Sequence, residues 1–234
     1  MLYNGVMQQE VDGVLVAAHE LKAPLAVLRQ LALSFEGAGV SDERIKNQMV
    51  SVSERALRQV NDLSKIRRLE DGLFEMEPVA VREVCDAVTR ELRYLFRYNE
   101  RDFTVKYSNK MKLVTANREL LYSVLYNFLL NAMHYSDAKT NSRLTVRDHR
   151  GSVRVDVRDF GPALPVEVWR ELRYGQIDKP LPVAMRPNSS GLGLYIASTF
   201  SRYMGAKVGV VRHRDGTSFY VELPISKQAS LFGV

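Results

Sequence analysis

The sequence lacks the features that mark secreted, membrane-spanning or disordered chains. Its single cysteine, Cys85, cannot form an internal disulfide, which excludes a disulfide-stapled secreted module and favours a reducing compartment. No run approaches about 18 apolar residues, so the sequence predicts no membrane span. Residues 1–13 show neither the basic start nor the apolar core of a signal peptide. With 46% apolar and 26% charged residues among 234, the chain has ordinary globular composition.

The charge is unevenly distributed along the chain. The net charge is +6; residues 1–70 contain nine basic and nine acidic residues, whereas residues 71–234 contain 24 and 18. A basic surplus suits nucleic acid, an anionic membrane surface or a phosphate ligand. Because no segment carries the run of Lys and Arg that is typical of a binding arm, we expect no nucleic-acid partner.

Residues 1–70 carry the pattern of two long amphipathic helices. In the first helix, apolar residues recur at alternating spacings of four and three, as in a coiled coil: Val14, Ala18, Leu21, Leu25, Leu28, Ala32 and Phe35. After a turn with two glycines, a second stripe follows: Ile45, Met49, Val52, Ala56, Val60, Leu63 and Ile66. A hairpin of two such helices cannot bury both stripes alone. The pattern therefore predicts a homodimer closed as a four-helix bundle.

Beyond a predicted linker at residues 71–78, helical and strand patterns alternate. The predicted helices are Val81–Tyr98, Arg118–Tyr135 and Leu192–Tyr203, and the predicted strands are Phe103–Tyr107, Leu144–Arg147, Val153–Asp159, Lys207–Arg212 and Ser218–Leu223. A long loop rich in Pro, Ser and Asn covers about residues 175–190. These elements predict an α+β sandwich over residues 79–225, with a tail at residues 226–234.

One histidine lies beside the coiled-coil stripe. His19 follows Ala18, so its ring lies on the flank of the helix, and Glu20 next to it can accept an imidazole proton. Pro24 removes a helical hydrogen bond one turn later, which predicts a bend near the histidine. A packed or surface histidine without a role is the alternative on these residues alone.

Two asparagines share one face of a predicted helix. Asn127 and Asn131 are four residues apart, and asparagine is only a middling helix former. An amide oxygen suits Mg²⁺ that bridges to phosphates, whereas a cap or a buried hydrogen bond is the alternative.

Three further segments combine glycine with polar residues. Asp159 follows a strand and precedes Gly161, so its carboxylate can accept from an exocyclic amine; a plain turn is the alternative. Residues 189–194 open a helix with Gly191 and Gly193, where uncovered N–H groups suit phosphates. The sequence of residues 215–217 predicts a hairpin turn between the last two strands.

In their order and spacing, these segments resemble the transmitter core of the sensor histidine kinases of two-component systems. The resemblance extends from about residue 11 to Pro224. HELKAPL matches the family's H-box, NFLLNAMHYS its N-box, DFGPALP its first glycine box, GLGLYIAS the second and GTSF the last. Trp169 and Leu172 occupy the position of the phenylalanine box, although neither is Phe.

The resemblance implies two domains and a reaction. Residues 1–70 would be an all-α helical hairpin for dimerisation and histidine phosphotransfer, and residues 79–225 an α+β Bergerat-type (GHKL) ATP-binding sandwich. His19 would attack the γ-phosphate of ATP with Glu20 as its base. The phosphoryl group would then pass to an aspartate on the receiver domain of a separate response regulator.

The resemblance also implies a nucleotide site. Asn131 would hold Mg²⁺, with Asn127 beside it at the phosphates, and His134 would contact phosphate. Tyr135 would pack on the adenine. Asp159 would bind the adenine amino group with Gly161 beneath the ring, and Thr217 would lie near the base. The second glycine box would anchor the lid of residues 175–190 over the triphosphate; its residues are Gly191, Leu192, Gly193 and Leu194.

Two positions depart from the family pattern. Ala163 stands where the family has the second glycine of its DxGxG motif, and its methyl group would crowd the nucleotide. Ala23 stands where related kinases carry Thr or Asn to orient the water that dephosphorylates the regulator, which predicts weak phosphatase activity. The alternatives are a pseudokinase scaffold with decayed ATP binding and a serine-directed anti-sigma kinase, whose class lacks an H-box helix.

A sensory region is not evident in the sequence. Eighteen residues precede His19, too few for a sensory domain or an anchor. We therefore expect either a fragment of a longer chain, such as the cytoplasmic part of a membrane-anchored sensor, or a cytoplasmic kinase that takes its signal from a separate sensor protein.

Overall fold

The computed structural model describes residues 22, 24–34, 40–109, 111–137, 140–174 and 192–227. The chain divides into two compact units between Arg68 and Leu69, and each unit is described by itself. His19, Glu20 and Ala23 lie outside the described residues, as does the segment 175–191 with the predicted lid and Gly191.

The described part of the first unit is helical, as predicted. It consists of α1 (residues 24–33) and α2 (Val40–Leu69). Acidic residues in the first turn of α2 and arginines in its last turn complement the helix dipole. Leu33 and Leu57 remain 68% and 62% exposed, so this unit leaves apolar surface uncovered within one chain. Assembly into a four-helix bundle stays a prediction.

The second unit contains a mixed sheet of five strands in the order β2-β4-β5-β7-β6. β2 pairs with β4 in parallel, and the other neighbours are antiparallel. A second sheet pairs β1 with β3. The strands are β1 (Glu77–Val79), β2 (Phe103–Tyr107), β3 (Val114–Ala116), β4 (Ser142–His149), β5 (Ser152–Arg158), β6 (Lys207–His213) and β7 (Gly216–Pro224).

One face of the five-stranded sheet is apolar and carries the helices. In β5, alternate residues are buried: Val153, Val155 and Val157. The helices of this unit are α3 (Val81–Tyr98), α4 (Arg118–Tyr135), α5 (Val166–Tyr174) and α6 (Leu192–Tyr203). α4 contacts both α3 and α6, and each of the three helices contributes a fully buried phenylalanine: Phe96, Phe128 and Phe200. The predicted α+β sandwich is confirmed.

The structure differs from the sequence prediction in its shorter elements. α3, α4 and α6 have the predicted bounds, but α5 and the three-residue strands β1 and β3 were not predicted. The predicted linker, residues 71–78, is shorter because β1 begins at Glu77. Phe74 within it is buried, and its carbonyl accepts a hydrogen bond of 3.3 Å from the Tyr203 hydroxyl. Among the described residues, no helix is both long enough and apolar enough to cross a membrane.

Candidate functional site

One face of α4 carries four of the predicted site residues. The helix starts at Asn117, whose side chain accepts from the N–H groups of Glu119 and Leu120. Because α4 lies between α3 and α6, almost every residue from 120 to 133 is buried. Asn127 and Asn131 are partly exposed exceptions, and the exposed His134 and partly exposed Tyr135 follow at the end of the helix: these four residues form the open face of α4.

The first asparagine of this face contacts the second glycine segment. The Asn127 amide donates a hydrogen bond of 2.9 Å to the carbonyl of Ser123 within α4. A Cβ atom added to Gly193 would lie 2.8 Å from Asn127 Oδ1. Glycine at position 193 therefore lets the start of α6 approach the Asn127 side chain. The structure thus brings together parts of two of the predicted segments, residues 127–136 and 192–198.

Among the described residues, the side chain of the second asparagine, Asn131, makes no hydrogen bond or ion pair. Its partly exposed amide lies one turn beyond Asn127. The described residues also contain no cluster of three or more His, Cys, Asp or Glu side chains that could enclose a metal ion. An open amide oxygen without a carboxylate cage fits Mg²⁺ that takes its other ligands from water and phosphates.

Asp159 is buried at the end of the β5–β7 ladder. Its side chain is 1% exposed, and Oδ1 accepts a hydrogen bond of 2.8 Å from the backbone N–H of Thr217. The Asp159 N–H donates in turn to the Thr217 carbonyl at 2.9 Å. Thr217 is fully buried. A buried carboxylate at the end of a strand is suited to accepting a hydrogen bond from a donor group on a ligand.

Gly216 packs directly against Asp159. Its φ is +136°, in the region that favours glycine, and an added Cβ would lie 2.2 Å from the Asp159 carbonyl oxygen. The same Cβ would lie 3.0 Å from Asp159 Oδ1. The residues alone suggested a hairpin turn at residues 215–217, and the family resemblance placed the last glycine box there. The turn is present, but Gly216 also fixes the position of the carboxylate.

Gly161 meets the end of α4. A Cβ atom added there would lie 1.6 Å from the backbone carbonyl oxygen of Tyr135. The close approach of the Tyr135 peptide is one structural reason for glycine here, and the predicted approach of a base to Gly161 stays a prediction. The segment after Asp159 is therefore packed against the C-terminal end of α4.

The residues that follow α4 bind the Phe160 peptide. Ser136 is buried, and its hydroxyl accepts from the Phe160 N–H at 3.4 Å. The Phe160 carbonyl accepts from the Asp137 N–H at 3.2 Å and from the Thr140 hydroxyl at 3.0 Å. Sequence reasoning included Ser136 in a motif without a role and missed Asp137 and Thr140. Hydroxyl residues directly after the helix were the only available signal.

Arginines surround the same loop. The Arg158 guanidinium lies 4.5 Å from the centre of the Phe160 ring, and its Nη2 lies 2.8 Å from Asp215 Oδ1. His213 lies nearby on β6, with Nε2 2.8 Å from the Ser218 hydroxyl. Partial burial and then the positive charge of Arg158 lower the pKa of His213 from its ordinary value.

The remaining predicted residues lie at the edges of this site. Leu192 is buried and Leu194 partly exposed at the start of α6, and Ala163 is partly exposed. Trp169 and Leu172 lie on α5, where the Arg173 guanidinium is 5.1 Å from the Trp169 ring centre. Their predicted roles toward a ligand stay predictions.

Comparison with known proteins adds sequence relatives for both units. Residues 116–227 match the family described as histidine kinase-, DNA gyrase B-, and HSP90-like ATPase. The sensory histidine kinase/phosphatase NtrB of Rhizobium leguminosarum bv. phaseoli is 27% identical over 230 residues, which cover 92% of this chain and 58% of that protein. The sensor protein CutS of Streptomyces coelicolor is 26% identical over 221 residues, covering 89% and 51%. The chain thus spans little more than half the length of these two relatives.

Solved structures agree with this relationship. The catalytic domain of histidine kinase ThkA has a TM-score of 0.56 and 25% identity, covering 64% of this chain and 96% of that one. Full-length ShkA in complex with AMPPNP has a TM-score of 0.63 and 21% identity, covering 93% and 46%. ThkA in complex with the response regulator protein TrrA has a TM-score of 0.61 and 20% identity, covering 95% and 62%. The last two show the likeness of fold.

The ATPase family match covers the strands and helices that carry Asp159, Asn127 and Gly193, and the sequence relatives align with both units of the chain. Residues 116–227 therefore match the histidine kinase-, DNA gyrase B-, and HSP90-like ATPase family, and the chain as a whole is similar to sensor histidine kinases.

Proposed function

We propose that this chain is an ATP-dependent kinase that phosphorylates its own His19 and passes the phosphoryl group to an aspartate of a response regulator. The observation that supports this most directly is a set of three contacts that join four sequence segments. Asp159 is held by Thr217, Asn127 contacts Gly193, and the loop after Asp159 packs against the end of α4.

Asp159 is the proposed recognition group for the adenine base. Its carboxylate is buried, and Thr217 engages Oδ1 from the sheet side. A carboxylate in this setting accepts a hydrogen bond from the exocyclic amino group of adenine. Tyr135, at the end of the open face of α4, would pack against the base. The presence of AMPPNP in the related ShkA structure supports an adenine nucleotide as the ligand.

Asn127 and Asn131 are the proposed phosphate-side residues. Both amides are partly exposed on α4, and His134 follows on the same open face. Asn131 would hold Mg²⁺, which supplies neutralisation of the triphosphate charge when bound. Asn127 would bind beside it, held in place by the contact with Gly193. The N–H groups around Gly191, Leu192, Gly193 and Leu194 would face the phosphates.

The proposed reaction is a phosphoryl transfer to nitrogen. An imidazole nitrogen of His19 attacks the γ-phosphorus, and an N–P bond forms while the bond to the β,γ-bridging oxygen breaks. ADP leaves with the electron pair of that bond, and Glu20 takes the imidazole proton. In the second step the phosphoryl group passes from the histidine nitrogen to a carboxylate oxygen on the receiver domain. The related complex of ThkA with TrrA supports a response regulator as the partner.

The first unit is the proposed site of dimerisation. Its described helices expose large apolar residues, including Leu25, Leu33 and Leu57. Pairing with a second copy would cover this surface and present His19 on a four-helix bundle. Because residue 23 is alanine, the dimer would dephosphorylate the regulator only weakly.

Labelling with γ-phosphate-labelled ATP and Mg²⁺ tests the kinase proposal. We expect label on the wild-type chain and none on His19→Ala. His149→Ala is the matched control, because His149 is partly exposed on β4 and lies outside the proposed site; it should keep the label. Label that survives in His19→Ala means that the phosphoacceptor is a different residue.

The second candidate function is a dimeric scaffold without kinase activity. The specific observation in its favour is Ala163, which replaces a family glycine in the loop after Asp159. A wild-type chain without label and without ATP binding in calorimetry would favour the scaffold. In that case Ala163→Gly should restore measurable ATP binding if the methyl group is the cause.

A further inference from the structure

The peptide unit of Phe160 connects the proposed adenine-recognition residue to the glycine that packs on α4. Phe160 is bonded to Asp159 on one side and to Gly161 on the other, so a shift of the Phe160 backbone also moves the main chain that carries the Asp159 carboxylate. The Phe160 N–H and C=O groups point to residues that follow α4 rather than to the sheet. The position of Asp159 therefore depends on the chain at the end of α4 as well as on Thr217.

Ser136 holds the N–H side of this unit. The residue is 2% exposed, and its backbone N–H donates to the Ala132 carbonyl, which fixes it to the last turn of α4. Its hydroxyl lies 2.9 Å from the Ser142 hydroxyl and accepts the Phe160 N–H at 3.4 Å. Loss of the hydroxyl would leave the partly buried Phe160 N–H group without this acceptor.

Thr140 and Asp137 hold the C=O side. The Thr140 hydroxyl lies 3.0 Å from the Phe160 carbonyl and 3.0 Å from the Asp137 carbonyl, and the Asp137 N–H donates to the Phe160 carbonyl at 3.2 Å. The Thr140 N–H also donates to the Asp137 carbonyl at 3.0 Å, which closes a turn. The N–H group and the C=O group of Phe160 are thus both hydrogen-bonded to residues that follow α4.

We propose that Ser136 and Thr140 are positioning residues that hold the Phe160 peptide and thereby set Asp159 for recognition of the adenine amino group. This rests on the proposed function, because it specifies how the nucleotide site distinguishes its base. The two hydroxyls tie the loop that carries Asp159 to the helix that carries Asn127 and Asn131. The base-reading and phosphate-side parts of the site are therefore connected through one short segment.

The proposal predicts a specific change in base recognition. Asp159 would act on the exocyclic amino group of adenine, which is a hydrogen-bond donor. ATP and purine riboside triphosphate, which lacks that amino group, share the same phosphates and ring system. Displacement of Asp159 should weaken the binding of ATP more than the binding of purine riboside triphosphate, because only ATP carries the amino group. A general loss of structure weakens both ligands equally.

Calorimetric titration of the full chain with both ligands tests the proposal. Thr140→Val removes the hydroxyl at constant shape, whereas Thr140→Ser keeps it. We expect Thr140→Val to raise the Kd for ATP about three- to tenfold, as for loss of a neutral hydrogen bond, and to lower the affinity ratio of ATP to the analogue. Thr140→Ser should remain close to the wild type. Thr104→Val, an exposed strand threonine on β2, is the matched control and should change neither Kd.

Ser136→Ala provides a second variant at the other side of the peptide and should lower the same affinity ratio. If this buried substitution prevents folding, the partly exposed Thr140 still decides the question. Equal weakening of both ligands by Thr140→Val, or wild-type affinity for ATP, would overturn the positioning role while leaving the proposed function intact. A wild-type chain that binds neither ligand would instead contradict the proposed function.

Discussion

Asp159 and Thr217 exchange two hydrogen bonds: the Thr217 N–H donates to Asp159 Oδ1 at 2.8 Å, and the Asp159 N–H donates to the Thr217 carbonyl at 2.9 Å. They follow the last register pair of β5 and β7, Arg158 with Ser218, so the ladder continues one step into the site. The carboxylate is therefore attached to the sheet by its own backbone and by its side chain.

The first prediction concerns the charge of Asp159. Asp159→Asn keeps an oxygen acceptor for the Thr217 N–H but replaces an acceptor toward the adenine amine by an amide. We expect ATP affinity to fall about 10- to 100-fold, the range for a hydrogen bond to a charged group, while the fold persists. Calorimetry with ATP and thermal unfolding measure the two effects. Asp148→Asn, an exposed residue on β4, is the matched control; equal affinity losses in both variants would contradict the assignment.

The second prediction concerns Gly216. Alanine at this position combines a strained φ of +136° with a Cβ 2.2 Å from the Asp159 carbonyl oxygen. We expect Gly216→Ala to lower the free energy of unfolding by more than strain alone, which is about 1 to 3 kcal/mol, and to abolish ATP binding. Gly151→Ala isolates the strain, because φ is +83° there and an added Cβ meets nothing within 4 Å. Chemical denaturation measures the free energy of unfolding, and titration measures the affinity for ATP. Equal ATP affinities of the two variants would contradict the prediction.

The third prediction separates stability from binding at Gly193. Alanine is a better helix former than glycine, and the atom that its Cβ meets, Asn127 Oδ1, is the end of a side chain that can rotate away. Gly193→Ala should therefore keep the free energy of unfolding near the wild-type value and weaken ATP binding. In an Asn127→Ala background the same substitution should have no further effect on ATP affinity. Additive losses in this double-mutant cycle would show that the Gly193 contact acts on something other than Asn127.

The fourth prediction concerns pH. Burial and the charge of Arg158 lower the pKa of His213 in the folded chain, against the opposing charges of Asp215 and Asp156. His213 therefore binds a proton more readily in the unfolded chain than in the folded chain. Its contribution to the free energy of unfolding is fully present above the ordinary histidine pKa of about 6.5. That contribution is lost as the pH falls through the lower pKa of the folded chain. His213→Gln, whose amide can still meet the Ser218 hydroxyl, should flatten this decline. Urea unfolding at about pH 8 and about pH 5.5 measures it; an unchanged pH slope in the variant would rule out His213 as the source.

The fifth prediction concerns the phosphatase reaction. Residue 23 follows His19 by four positions, one helical turn, and its methyl side chain cannot orient a water molecule. We expect Ala23→Thr to dephosphorylate a phosphorylated response regulator faster than the wild type. Time courses with labelled regulator measure the rate, and autophosphorylation of the same variant serves as the control. Equal rates for the two proteins would exclude a role for the residue at position 23.

The longer elements were predictable because their patterns are local. The bounds of α3, α4 and α6 follow from apolar residues at helical spacing, and β5 follows from the alternation of Val153, Val155 and Val157. β1 and β3 have three residues each, too few for a period to be recognised. They form because each pairs with the other across about 37 residues of chain, which local periodicity does not report.

The roles of the glycines were less predictable than their positions. The sequence motifs identified all three glycines. A side chain at each would collide with a different group: the Tyr135 carbonyl at Gly161, the Asn127 amide at Gly193 and the Asp159 backbone at Gly216. These partners lie 26, 66 and 57 residues away in the sequence. The distances between them depend on how the helices dock on the sheet.

The sequence by itself determined three features of this protein: its division into a helical part and an α+β part, the polar residues of the candidate site, and the order of these residues along the chain. Short-range periodicity and side-chain chemistry are properties of the chain and need no partner in space. Only the tertiary structure decided that Asp159 is attached to Thr217, that Gly193 abuts Asn127, and that Ser136 and Thr140 bind the Phe160 peptide. These relationships depend on packing and hydrogen bonds whose energies change over a few tenths of an ångström, so they exist only once α4, α6 and the sheet have come together.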